Sequence, residues 1–180
     1  MEPVTLLTLK EFLERLGKRF AGAGDLYLLG GSALCLLGNP RTTMDFDYTF
    51  ESDAATLETF EATVATLADE MQLYADAVPI AEFVPLPPQA YERRQLVGRY
   101  GRLTVYVFDP YTIALSKIAR GFEADLEDVM FMLQQGLIVF EELARHFQTI
   151  LPHASEADII PSEFKDYFEE IHRRFEEIAP

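Results

Sequence analysis

Leu26-Tyr27-Leu28-Leu29-Gly30-Gly31-Ser32, followed twelve residues on by Met44-Asp45-Phe46-Asp47-Tyr48-Thr49-Phe50, is the stretch that decides the fold. Residues 26–29 form a short apolar run that reads as a buried strand. Gly30-Gly31 supply a turn no side chain enters, and Ser32 starts a helical segment through Ala33-Leu34-Cys35-Leu36-Leu37. The unbonded backbone N–H groups of such a helix start point toward an anion. In the second run, carboxylates alternate with aromatic residues. A strand therefore projects Asp45 and Asp47 from one face and Phe46 and Tyr48 from the other. Two carboxylates side by side repel unless a cation relieves them, and Mg²⁺ prefers one or two carboxylates together with substrate phosphate oxygens and water. The turn and the acid pair thus suggest nucleotidyl transfer.

Working outward, Leu9, Phe12, Leu13 and Leu16 predict a helix over Thr8 to Phe20, stopped by Ala21-Gly22-Ala23-Gly24. Gly38-Asn39-Pro40 ends the helix after the glycine turn. Ser52 or Asp53 caps a helix from Ala54 to Met71, with Leu57, Phe60, Val64 and Leu67 on one stripe. Four prolines break residues 73–90 into extended pieces, of which Ile80 to Val84 reads as an edge strand. Leu103 to Phe108 is β-branched and aromatic and predicts a strand. Helices are expected over Tyr111 to Arg120, Asp125 to Gln134, Val139 to Phe147 and Glu163 to Ile178. There is no internal repeat and no low-complexity segment.

The 180 residues are 49% hydrophobic, enough for a substantial core, and carry a formal net charge of −15. The charge is uneven: residues 1–120 have a net of −5 and residues 121–180 a net of −10. Such acidity disfavours a large polyanionic partner, since nucleic-acid affinity rests on basic groups at phosphates. The exception is residues 91–102, where Arg93, Arg94, Arg99 and Arg102 interleave with Tyr91 and Tyr100. Arginine forks suit phosphates and tyrosines suit bases, although pairing with surplus acid is the commoner use. Cys35, the single cysteine, sits in an apolar helix and reads as a small buried hydrophobe. His146, His153 and His172 have no metal-ligand spacing. No basic-apolar leader and no apolar run of about 20 residues is present, so a cytoplasmic location without membrane contact is expected.

Gly30-Gly31-Ser32, Arg41-Thr42-Thr43 and Asp45-Phe46-Asp47 together resemble the signature of the polymerase-beta-like nucleotidyltransferase superfamily, nearest to its small bacterial members. Val107-Phe108-Asp109-Pro110 with Lys117, Arg120, Asp125 and Asp128 is similar to a later block of the abortive-infection nucleotidyltransferase toxins. The resemblance spans roughly residues 26 to 135. It implies an α+β fold, a mixed β-sheet flanked by helices, with a nucleotidyltransferase-like domain over 1–120 and a helical C-terminal extension over 121–180. It also implies transfer of a nucleoside monophosphate from an NTP to an acceptor, with Mg²⁺ (or Mn²⁺) and release of pyrophosphate. The metal ligands are then Asp45 and Asp47, with Gly30, Gly31, Ser32, Arg41 and Thr43 binding the nucleotide. Lys117 contacts phosphate, and Asp109 serves as the third carboxylate or general base. The acceptor is open between RNA, protein and a small molecule. The alternative is a catalytically degenerate nucleotide-binding or protein-interaction member of the fold, with a protein partner in a toxin-antitoxin-like system.

Overall fold

The computed structural model describes residues 3–81 and 83–178. Its contacts group into two units, one formed by residues 1–79 and 94–108 and the other by 80–93 and 109–180. The boundary read from the sequence, at residue 120, falls instead between two helices of the second unit.

The first unit holds helices α1 (Leu6–Arg19), α2 (Gly30–Leu36) and α3 (Ala54–Glu70) and strands β1 (Gly24–Leu28), β2 (Asp45–Glu51), β3 (Tyr74–Ala77), β4 (Gln95–Tyr100) and β5 (Leu103–Val107). The strands form one mixed sheet in the order β3-β2-β1-β5-β4, parallel between β1 and β5 and between β2 and β3. The α+β expectation holds. Thr5 starts α1 through a reciprocal capping box with Thr8. Of the two residues proposed to cap α3, Asp53 does so, accepting from the Thr56 N–H at 3.0 Å.

Alternation in β2 buries Phe46, Tyr48 and Phe50 and leaves Asp45 and Asp47 half-buried on the other face. The buried rings pack against the helices: Phe46 on Phe12 of α1, Tyr48 on Phe60 of α3 and Phe50 flat on Phe60. α1 comes close to the β4-β5 turn at Gly17, where an added Cβ would lie 2.5 Å from the Tyr100 carbonyl carbon. The edge strand expected over Ile80 to Val84 is not formed by its described residues, and Glu82 lies outside them; the edge of the sheet is β3, at 74–77. Tyr74-Ala75-Asp76-Ala77 carries too little apolar alternation to announce a strand, and its pairing with β2 supplies what local propensity lacks.

Burial in this core pushes the Tyr48 phenol up to about 12, with the charges of Glu61 and Asp76 adding to the effect. The neutral phenol is the form the fold keeps. Stability from this residue is therefore intact below pH 10 and lost as pH rises from about 10 to 12, where the unfolded chain ionises first. Tyr48→Phe should flatten the fall in urea midpoint over that window, and an unchanged slope would show that Tyr48 is not its source.

The second unit holds α4 (Pro110–Arg120), α5 (Glu123–Gln134), α6 (Phe140–Ile150) and α7 (Pro161–Ile178), with 3₁₀ turns at Ala90–Arg93 and Leu151–Ala157. Gly121, at φ 68°, ends α4 in the left-handed conformation usual for a C-terminal cap. Phe147 stacks on Phe168 at 4.0 Å between ring centres and meets Phe164 edge-on, joining α6 to α7. Among the described residues, no helix is long and apolar enough to cross a membrane.

Candidate active site

β1 delivers the chain to the glycine turn, and β2 returns beside it in antiparallel register. The two are fastened by backbone: the Leu29 N–H donates to the Asp47 carbonyl at 3.1 Å. Gly30 then takes φ +53° and opens α2, a helix without a side-chain cap. A Cβ at Gly30 would lie 2.1 Å from Asp47 Oδ2, and one at Gly31 would lie 2.6 Å from Thr43 Oγ1. Both glycines are thus required by contact. The space their side chains would fill belongs to a carboxylate and to a hydroxyl, so the two motifs of the sequence meet at one place. Thr43 is anchored by backbone bonds with Val4, at 2.7 and 3.3 Å, which hold the loop before β2.

Ser32, expected to bind the nucleotide, is held inside the turn. It is fully buried, and its hydroxyl donates to the carbonyls of Leu29 at 2.8 Å and Asp47 at 3.2 Å. Its proton ties the turn to β2 and does not reach toward a ligand. Arg41 lies exposed on the same connecting loop. Cys35 is buried, as its apolar setting predicted.

The residues expected from the second block lie in the second unit, where local partners engage them. Asp109 is fully buried at the N-terminus of α4. Its oxygens accept two bonds from the Arg93 guanidinium, both at 2.8 Å. Further bonds come from the backbone N–H groups of Tyr111 and Thr112 and, at 2.7 Å, from the Thr112 hydroxyl. A carboxylate holding five donors is a cap and a clamp, which leaves it poorly disposed to act as a base. The same bonds hold Arg93 above its ordinary pKa. Lys117 is 2% exposed, with Nζ 3.0 Å from Asp125 and 2.7 Å from Asp128. Arg120 reaches Asp125 at 2.6 Å, while Asp125 Oδ2 is buried without a hydrogen-bond partner among the described residues. The spacing of Lys117, Asp125 and Asp128 therefore describes an ion-pair network between α4 and α5.

Sequence reading passed over Asp76. In β3 it lies in parallel register beside Asp47, as Tyr74 does beside Asp45, and registered neighbours share a face. Its pairing partner Asp47 lies 29 residues earlier in the chain, and no local pattern carries that signal. The arginine-rich segment is spread across several duties. Arg93 pairs with Asp109, Arg94 lies 5.0 Å over the Tyr106 ring, and Arg102 donates to the Ala21 carbonyl.

A family described as nucleotidyltransferase of unknown function (DUF6036) matches residues 4–176. The chain belongs to this family. No curated protein and no solved structure matches it significantly. For a nucleotidyltransferase that uses a divalent cation, the acid pair on β2 would be the place to hold it. Among the described residues no three histidine, cysteine or carboxylate side chains come together as a self-sufficient metal site. Two hard oxygen donors beside a glycine turn nevertheless fit Mg²⁺, which completes its shell with substrate phosphate and water.

Proposed function

We propose that this nucleotidyltransferase moves a nucleoside monophosphate from an NTP to an acceptor hydroxyl, with pyrophosphate leaving. The observation that carries this reading is the seating of the Asp47 carboxylate against the Gly30 backbone. Asp45 and Asp47 would hold Mg²⁺, which supplies charge neutralisation for an in-line displacement when bound. Having no side chains of their own, Gly30 and Gly31 let the Asp47 carboxylate and the Thr43 hydroxyl close on the turn, where the polyphosphate would bind. The acceptor oxygen forms a bond to the α-phosphorus as the bond from that phosphorus to the bridging oxygen of the leaving pyrophosphate breaks. Asp76, exposed and registered with Asp47, would take the acceptor proton. Arg41 would balance charge growing on the leaving group, and Thr43 would position the acid pair through the loop it anchors. Lys117 and Asp109 act in this reading by holding α4 and its partners in place.

A second reading, nucleotide binding without transfer, draws on the engagement of Lys117 and Asp109 within their own unit. One experiment separates the two. The protein is incubated with each α-labelled NTP, Mg²⁺ or Mn²⁺, and total RNA, lysate protein or a small-molecule extract, beside an Asp45→Ala/Asp47→Ala control. Label on an acceptor with wild type alone supports transfer and names the acceptor class. Metal-dependent NTP binding without label supports the second reading, and absence of binding overturns both.

A further inference from the structure

Most rings of the first unit are spent on one another. Tyr27 stacks on Tyr106, Phe46 on Tyr48 and Phe50 on Phe60. Tyr74 stands outside these contacts and is 49% exposed. It lies on the edge strand β3, in parallel register with Asp45. Neighbouring strands are about 4.8 Å apart and registered residues point to the same side, so Tyr74 and Asp45 are neighbours on one face of the sheet. Met44, the residue before Asp45, is 50% exposed. Tyr74 thus stands beside the acid pair without being drawn into the core.

We infer that Tyr74 is the surface on which the nucleobase of the bound nucleoside triphosphate stacks. The inference rests on the proposed nucleotide site at Asp45 and Asp47. With the polyphosphate held at the carboxylates, the remaining apolar part of the ligand needs a π-surface within a few ångströms, and Tyr74 supplies one. Stacking reads ring area rather than hydrogen-bonding edges, so purine nucleotides bind better than pyrimidine nucleotides at this site. Tyr74 acts on affinity and base preference, and it takes no part in the displacement itself.

The test compares Mg²⁺-dependent binding of ATP, UTP and inorganic tripolyphosphate, which has no base, to wild type, Tyr74→Ala and Tyr74→Trp by titration calorimetry. Tyr74→Ala should weaken ATP about tenfold, the loss expected when one base–aromatic stack is removed, narrow the ATP preference over UTP and leave tripolyphosphate unchanged. The chain has no tryptophan, so Tyr74→Trp introduces a sole indole reporter. It should restore ATP affinity and be quenched by ATP and not by tripolyphosphate. Unchanged ATP affinity in Tyr74→Ala overturns the inference, as does an equal loss for ATP and tripolyphosphate. Wild type binding tripolyphosphate as tightly as ATP overturns it and leaves the site at Asp45 and Asp47 standing. Wild type binding none of the three overturns the inference and the site together.

Discussion

Gly30→Ala is expected to lower nucleotidyl transfer at least about a hundredfold while leaving the protein folded. Two physical effects combine. At φ +53° an alanine pays a left-handed cost of about 1–2 kcal/mol, which a chain of this size tolerates. The larger effect is local, because the new Cβ would lie 2.1 Å from Asp47 Oδ2 and the carboxylate must move by about 1 Å to restore normal contact. Displacements of that size at a reacting centre cost on the order of 10²-fold in rate. Asp47→Asn should give a loss of similar size with no displacement, since it removes the charge and keeps the shape. Initial rates, measured beside circular dichroism and urea midpoints, check both. A Gly30→Ala protein working at the wild-type rate would show that Asp47 is remote from the chemistry.

Lys117→Met is expected to destabilise the protein by about 3–5 kcal/mol, the usual cost of removing one partner from a buried ion pair. Lys117, Asp125 and Asp128 are all nearly inaccessible, and losing the ammonium takes from two buried carboxylates the cation they share. For a chain of this length the thermal midpoint should fall by roughly 6–20 °C. Asp128→Asn, which keeps a hydrogen-bonding oxygen near Lys117, should cost less. A phosphate-contacting lysine at a solvated position predicts the opposite pattern: lost activity with a stability within about 0.5 kcal/mol of wild type. Thermal and urea unfolding of the two variants decide between these roles, and a Lys117→Met protein of unchanged midpoint would return Lys117 to the nucleotide.

The glycine turn and the acid pair were legible because their signals are local. Gly30, Gly31, Asp45 and Asp47 stand within eighteen positions, and each is constrained by its own strand or turn, so their residue types carried the reading. Asp109 shows the limit of that method. The resemblance implies a third carboxylate there, at the end of a strand before Pro110, yet the same position is an ideal helix N-cap, and the arrival of Arg93 completes its bonding. The Lys117 block is ambiguous for a related reason. A lysine and two aspartates at helical spacing look alike whether they face a ligand or one another, and only burial separates the cases. β3 stayed hidden because a four-residue edge strand with two alanines has almost no propensity of its own.

By itself the sequence determined the α+β class, the nucleotidyltransferase relationship and the meeting of a glycine turn with an acid pair, because strand alternation, glycine conformations and helix periodicity act over a few residues. The tertiary structure alone decided which acids stand near that pair and which are spent elsewhere. Strand register joined Asp76 and Tyr74 to β2, and helix packing turned Lys117, Asp125 and Asp128 toward one another. Both outcomes depend on contacts between elements, where burial sets the cost of an unpaired charge, and no window of sequence contains that information.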